Sequence, residues 1–174
     1  MKKVEDYVRS IPDFPEEGII FRDVTSVIQD PDGLKLAVDG ISNLIKDIDF
    51  DVVVGPESRG FIFGVPVAYN FGKGFVPVRK KGKLPCETIS ADYELEYGTA
   101  TIEIHKDAIK KGQKVVIVDD LIATGGTIEA IIKLVEELGG EVAGIAFLME
   151  LEGLKGRDKL KGYRVESVIK YPGK

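Results

Sequence analysis

The segment VVIVDDLIATGGT, residues 115–127, combines three kinds of residue that could carry chemistry. Aliphatic residues come first, the acidic pair Asp119–Asp120 follows, and a stretch rich in Thr and Gly ends the segment. If the aliphatic part is a strand and a helix begins near Thr124 or Thr127, free N–H groups and the positive end of the helix dipole lie at the junction. Such a junction favours a phosphate, because the glycines permit close approach and the threonines offer hydroxyls. We expect the phosphate-binding residues to be Ala123, Thr124, Gly125, Gly126 and Thr127.

The acidic pair narrows the chemistry of the ligand. Two carboxylates beside a phosphate would repel it unless they face a different part of the same molecule. Ribose hydroxyls need hydrogen-bond acceptors, and a magnesium ion needs oxygen ligands. The segment therefore fits a ribose 5-phosphate, with Asp119 and Asp120 as the ribose-binding residues. Ordinary capping of a helix would account for the Thr and Gly residues but not for the paired acids.

Better-known phosphate motifs do not fit the sequence. A Walker A loop requires G-x-x-x-x-G-K-[ST], which does not occur, and GPESRGF (55–61) lacks the lysine. A G-x-G-x-x-G loop after a strand is also missing. The run VVIVDD alone is similar to a Walker B strand, but that interpretation is weak without a Walker A partner.

Hydrophobic patterning indicates the elements that must position these residues. Aliphatic runs typical of buried strands cover 50–55, 75–80, 114–120, 141–150 and 163–171. Helical patterns cover 33–48, 59–72 and 128–138, with a short helix possible over 4–11 and an irregular segment over 13–25. Alternating stretches over 91–98 and 99–105 predict an antiparallel hairpin.

This alternation of strands and helices predicts an α/β fold with a mostly parallel, twisted sheet flanked by helices. Ligands of such sheets bind at the carboxyl ends of the strands. The loops over residues 55–60 and 119–127 lie there.

Composition limits the class of protein. The 174 residues are 44% hydrophobic and 30% charged, which predicts one globular domain spanning 1–174. A net charge of −5 argues against binding nucleic acid. Residues 1–18 lack the apolar stretch of a signal peptide, and the apolar run over 142–149 is too short for a bilayer, so we expect no membrane contact and a cytoplasmic location. The single cysteine, Cys86, agrees with a reducing compartment and receives no role, and His105 is interpreted as structural.

The segment over 115–127 resembles the signature of type I phosphoribosyltransferases, which bind phosphoribosyl pyrophosphate. Four further segments are similar to the adenine-specific branch of that family, in its order and spacing. They are SIPDFPEEGIIFRDVT, GPESRGFIFG, VPVRKKGKLPCETIS and YELEYGT. The resemblance covers about residues 7–152. It implies the type I phosphoribosyltransferase fold, with a small N-terminal hood over about 1–33 and a flexible hairpin lid over about 79–100.

The resemblance also implies an activity, a cofactor and an assembly. The reaction is adenine plus phosphoribosyl pyrophosphate giving AMP and pyrophosphate, a purine-salvage step catalysed by a pentosyltransferase (a glycosyltransferase). Mg²⁺ would be carried mainly by the pyrophosphate substrate, so no dedicated metal ligands are expected. The family resemblance further implies a homodimer.

Site residues follow by matching the family's motifs to this sequence. The pyrophosphate-binding residues would be Glu57, Ser58, Arg59, Gly60, Arg79, Lys80 and Lys83, since guanidinium and ammonium groups neutralise phosphate oxygens. The adenine-binding residues would be Ile20, Phe21 and Arg22, with Phe21 stacking on the base. Catalysis would rest on Glu96, Arg59 and Lys83, with Glu96 handling the purine proton.

Each of three assignments has an alternative in which the residues have no functional role. The basic run over 79–83 could be a solvated surface, Phe21 could be core, and Glu96 could be an exposed strand residue. Two other functions also stay open, namely a transferase for another nucleobase and a regulator that senses phosphoribosyl pyrophosphate without catalysis. The regulator would need a basic face or an added DNA-binding module, and we expect neither in an acidic chain of this length.

Overall fold

The N-terminal region is built around a small two-stranded antiparallel sheet. The computed structural model describes residues 1–95 and 97–173. In it a 3-10 turn at Val4–Tyr7 is followed by β1 (Arg9–Pro12), β2 (Ile20–Asp23) and the short helix α1 (Thr25–Ile28).

This region corrects two expectations from the sequence. The helix predicted over residues 4–11 is wrong beyond Tyr7, and the segment predicted as irregular contains β2. The cause is the pairing of the two strands with each other, which sets Ile11 opposite Phe21. The Ser26 hydroxyl reinforces it by accepting the N–H of Arg9 at 2.9 Å and donating to the carbonyl oxygen of Tyr7 at 2.7 Å.

A seven-stranded sheet forms the centre of the molecule. Its strands are β3 (Val52–Pro56), β4 (Gly74–Lys80), β5 (Thr88–Leu95), β6 (Gly98–His105), β7 (Lys114–Ile122), β8 (Glu141–Leu151) and β9 (Val165–Tyr171). They lie in the order β5-β6-β4-β3-β7-β8-β9. All neighbours from β4 to β9 are parallel, whereas β6 is antiparallel to both β4 and β5. The predicted fold class is confirmed.

Helices cover both faces of this sheet. They are α2 (Pro31–Ile45), α3 (Arg59–Asn70) and α4 (Gly126–Glu137). One apolar core lies between the sheet and α1, α2 and α3, and a second lies between the sheet and α4. Within the described residues, no helix has the length and apolar character needed to cross a membrane.

The aliphatic runs explain why the centre of the sheet is buried. Every residue of β3 is buried, and so are residues 115–118 of β7, because helices pack on both faces. The Asp30 side chain caps α2 by accepting the N–H groups of Asp32 and Gly33. The loops after β3 and β7 therefore both start from buried strands.

Candidate active site

Two loops meet at the carboxyl ends of the central strands. Strands β3 and β7 are parallel neighbours, with Val54 opposite Ile117, so the loops that follow them lie side by side. A cavity of about 430 Å³ opens between these loops. Its lining residues are Pro56, Glu57, Ser58, Arg59, Lys80, Tyr93, Asp119, Asp120, Leu121 and Thr127. Residues expected to bind pyrophosphate thus share one cavity with residues expected to bind ribose.

The predicted phosphate loop forms the start of α4. The helix begins at Gly126, and its N-cap residue Gly125 has a φ of 86°, in the left-handed region that favours glycine. A second cavity of about 110 Å³ is lined by Asp119 and by residues 121–128. The free N–H groups of a helix N-terminus and the hydroxyls of Thr124 and Thr127 lie around this small space, whose chemistry suits a phosphate.

The two acids at the end of β7 differ in their partners. Asp119 accepts the backbone N–H of Asp120 at 2.8 Å, whereas a carboxylate oxygen of Asp120 lies 2.7 Å from Nε of Arg59. Burial and the negative charge of Asp120 raise the pKa of Asp119 well above its ordinary value, against the opposing charge of Arg59. Arg59, predicted from the sequence to bind pyrophosphate, is therefore tied to a predicted ribose-binding acid in this structure. Its side chain is still 52% exposed and can reach a ligand in the cavity.

Glu57 connects the loop after β3 to the basic segment. Its carboxylate accepts the backbone N–H of Lys80 at 2.7 Å and Nε of Arg79 at 3.3 Å. The hydrogen bond from Lys80 lowers the pKa of Glu57 most, and the charges of Arg79 and Lys83 lower it further against the effect of burial. The first two residues of the basic run are thus bonded to the loop after β3 through the carboxylate of Glu57.

A tight turn carries Lys83. Its backbone N–H donates to the carbonyl oxygen of Lys80 at 3.2 Å. The buried side chain of Glu103 on β6 accepts the N–H of Gly82 at 3.4 Å. The predicted lid therefore begins as a turn fixed between β4 and β6.

The predicted adenine-binding strand β2 leaves its side chains accessible. Ile20 is exposed, and Phe21 and Arg22 are half-buried. The ring of Phe14 meets that of Phe21 edge to face at 5.3 Å, and the guanidinium of Arg22 lies 4.0 Å from the ring centre of Tyr171. Phe21 belongs to neither buried core, which disfavours the interpretation of Phe21 as core.

Asp23, the last residue of β2, accepts the backbone N–H of Thr25 at 2.9 Å and its hydroxyl at 2.6 Å. The pKa of Asp23 is lowered, chiefly by hydrogen bonds from Thr25 and also by the positive charges of Arg9 and Arg59.

Glu96, the predicted acid–base residue, lies outside the described residues.

Two features of the site were missed by sequence reasoning. Tyr93 of β5 lines the main cavity, and the alternating pattern of the hairpin could have indicated its direction. Lys159 has its Nζ atom 3.9 Å from the position that a Cβ on Gly126 would occupy. No pattern in the sequence pairs a lysine in a distant turn with the phosphate loop.

Comparisons with known proteins agree with this geometry. Residues 25–171 match the phosphoribosyl transferase domain family. An adenine phosphoribosyltransferase of Lachnoclostridium phytofermentans is 75% identical over the full length of both chains. A crystal structure of adenine phosphoribosyltransferase from Thermoanaerobacter pseudethanolicus superposes with a TM-score of 0.93 at 55% identity, covering 97% of this chain and 98% of the other.

A second solved structure contains the base itself. It is the adenine phosphoribosyltransferase of Saccharomyces cerevisiae, complexed with an imino-altritol bisphosphate and adenine. It has a TM-score of 0.88 and 43% identity, and covers 95% of this chain and 96% of the other. On the strength of its cavity, its fold and these similarities, the chain belongs to the adenine phosphoribosyltransferase family.

Proposed function

We propose that this chain joins adenine to phosphoribosyl pyrophosphate, giving AMP and pyrophosphate in purine salvage. The bond from the anomeric carbon to pyrophosphate breaks, a bond to the purine nitrogen forms, and that nitrogen loses its proton. One observation carries the proposal, namely that acids at the end of β7, the start of α4 and the cations Arg59 and Lys80 surround one cavity.

The start of α4 would hold the sugar phosphate. The N–H groups and hydroxyls of residues 123–127 suit the 5-phosphate, because a helix N-terminus favours negative charge. Asp119 and Asp120 would accept hydrogen bonds from the ribose hydroxyls. Fixing the sugar at both points positions its anomeric carbon for attack.

The other side of the cavity would stabilise the departing pyrophosphate. Ser58, Arg59 and Lys80 line the cavity. The family motif adds Gly60, Arg79 and Lys83, and the guanidinium of Arg59 and the ammonium of Lys83 would be the catalytic cations. The carboxylate of Glu57 would act indirectly, since it accepts hydrogen bonds from Arg79 and from the N–H of Lys80.

The residues present fit a magnesium ion that arrives with the substrate. Over residues 1–95 and 97–173, no group of three His, Cys, Asp or Glu side chains could form a metal cage. Asp119 and Asp120 lie in the same cavity as the pyrophosphate residues, so their oxygens could accept hydrogen bonds from water on such an ion. When bound, Mg²⁺ would neutralise charge on the leaving pyrophosphate.

The strand β2 would select the base. The half-buried ring of Phe21 can stack on adenine, while Ile20 and Arg22 offer backbone groups to the purine edge. Glu96 would manage the purine proton, an assignment that rests on its match to the family motif. The hairpin of β5 and β6 would keep water from the activated sugar as a lid, with Tyr93 facing the cavity.

A base-competition assay tests the activity. Purified protein with phosphoribosyl pyrophosphate and Mg²⁺ should turn over adenine far faster than hypoxanthine, guanine or orotate. Comparable rates with hypoxanthine would contradict the specificity. A Glu96→Gln variant should lose turnover while it still binds substrate, and full turnover would remove the role of Glu96.

We also propose a cytoplasmic homodimer. The exposed apolar side chains of Val65 and Tyr69, one turn apart on α3, suit a contact between two copies. Light scattering coupled to gel filtration measures the mass in solution, and a monomeric mass would contradict the dimer. Cell fractionation tests the location.

A further inference from the structure

The connection between β8 and β9 lies directly behind the phosphate loop. It consists of two 3-10 turns, Glu152–Leu154 and Gly156–Leu160. A Cβ on Gly125 would lie 2.7 Å from the carbonyl oxygen of Gly156, and a Cβ on Gly156 would lie 2.5 Å from that of Ala123. Real Cβ atoms essentially never come so close, so no side chain fits between turn and loop. The backbone of the turn therefore packs directly against the backbone of the loop.

An ion pair holds this turn to the sheet. Nε of Arg157 donates to both carboxylate oxygens of Glu150, at 2.9 and 2.7 Å. The same guanidinium donates through its Nη1 to the carbonyl oxygen of Val165 at 2.8 Å. Glu150 also accepts the hydroxyl of Ser167 at 2.8 Å. One arginine thus joins the turn to the end of β8 and to β9.

The pair is partly buried and charged. The side chain of Glu150 is only 7% exposed. Burial alone would raise the pKa of Glu150, but hydrogen bonds from Arg157 and Ser167 outweigh it and lower that pKa. The hydrogen bond to Glu150 raises the pKa of Arg157. Removing the arginine would leave an uncompensated carboxylate at the base of the turn.

We propose that the Glu150–Arg157 ion pair positions the 5-phosphate loop, by fixing the backbone of Gly156 against Gly125 and Ala123. The inference rests on the proposed function, in which residues 123–127 bind the 5-phosphate. N–H groups that bind an anion act best when their directions are fixed before the ligand arrives. Arg157 and Glu150 are therefore positioning residues, since neither lines the cavities of the site.

Binding of two separate ligands tests the proposal. In Arg157→Gln and Gly156→Ala, calorimetry should show affinity for ribose 5-phosphate lowered about tenfold, because small misplacements of binding groups are costly. Affinity for magnesium pyrophosphate should be unchanged, since its expected residues belong to the loop after β3 and to the basic segment and not to the phosphate loop. Arg157→Lys should recover part of the loss, as it keeps the charge but not the two-sided contact.

Two matched controls separate positioning from general loss of structure. Arg164 also forks onto a carboxylate, with Nη1 and Nη2 at 3.0 and 2.8 Å from Asp47 and Nη2 at 3.1 Å from the carbonyl oxygen of Leu44. Arg164→Gln should leave both affinities unchanged. Gly74→Ala places a methyl group where nothing lies within 4 Å and should do the same.

Several outcomes would overturn the inference. Unchanged affinity for ribose 5-phosphate in Arg157→Gln and Gly156→Ala would do so, and so would an equal loss of both ligands. If Arg157→Gln does not fold, Gly156→Ala and Arg157→Lys decide. A wild-type protein that binds neither ligand would instead contradict the proposed function.

Discussion

Replacing Asp119 by asparagine should raise the free energy of unfolding at neutral pH while it weakens ribose binding. Asparagine keeps an oxygen that can accept the N–H of Asp120, now at 2.8 Å. Its amide can also donate to the carboxylate of Asp120, where the wild type places a second carboxylate. The substitution therefore removes a repulsion without removing that hydrogen bond.

The direction of the effect follows from the raised pKa of Asp119. Burial and the charge of Asp120 raise it well above its ordinary value of 3.8. Well below pH 3.8 the group is protonated in both the folded and unfolded states, so its ionisation has no effect on stability. As the pH rises from there, the carboxyl ionises in the unfolded chain before it ionises in the folded protein, so the folded protein loses stability. The loss is complete once the pH exceeds the pKa of the folded state, and it amounts to about 1.4 kcal/mol for each unit by which the folded pKa exceeds the unfolded pKa. We expect Asp119→Asn to stabilise the protein by about 1–2 kcal/mol at neutral pH.

Urea unfolding at about pH 4 and about pH 8 measures this effect, because the gain should be larger at the higher pH. Affinity for ribose 5-phosphate should fall about tenfold or more, since a charged acceptor contributes about 1.5–3 kcal/mol. Asp49→Asn is the matched control, because the side chain of Asp49 is 90% exposed and should change stability by less than about 0.5 kcal/mol. A variant less stable than wild type at pH 8, or a gain independent of pH, would refute the reasoning.

Three further substitutions test other parts of the site, with Gly18→Ala as the control for the first. Gly125→Ala should lower the unfolding free energy by more than about 1–2 kcal/mol, the usual cost of a left-handed alanine, because its Cβ also meets Gly156 at 2.7 Å. Gly18→Ala has the same φ of 86° with nothing within 4 Å, so it measures the backbone cost alone. Phe21→Ala should raise the KM for adenine about tenfold, since stacking on a base contributes about 1–3 kcal/mol. Lys159→Met should weaken binding of ribose 5-phosphate about threefold and reduce its dependence on salt.

Clear results would contradict each of these expectations. If Gly125→Ala and Gly18→Ala lower the free energy of unfolding equally, the turn behind Gly125 does not crowd the loop. An unchanged KM for adenine in Phe21→Ala would remove its stacking role, provided that the KM for phosphoribosyl pyrophosphate is also unchanged. Lys161→Met is the control for Lys159, and an equal effect of both would indicate only a general change in charge.

The sequence predicted the central elements because their patterns are local. The aliphatic runs of β3 and β7 are buried from both faces, and they read as strands without knowledge of any partner. The prediction of α3 was also confirmed, although Pro66 lies inside it. Parallel strands then place the loops after β3 and β7 together, which made the edge that carries the site predictable.

Other features depend on contacts between distant residues. The strands β1 and β2 have four residues each and form by pairing with each other. Segments this short show no hydrophobic periodicity that would predict a strand. The ion pair of Arg59 with Asp120 joins two segments that are far apart in the sequence, and neither segment carries a pattern that predicts the other as its partner. The contact of Gly156 with Gly125 is similarly invisible, since it involves backbone atoms only.

The stacking of Arg22 on Tyr171 has a consequence for synthesis of the protein. During translation β2 leaves the ribosome long before β9. The strand that would recognise adenine is therefore made before the ring of Tyr171 that supports it. A nascent chain that stops short of β9 would lack this support. Adenine binding would thus appear only after β9 has joined the sheet, and it would report that the sheet is finished.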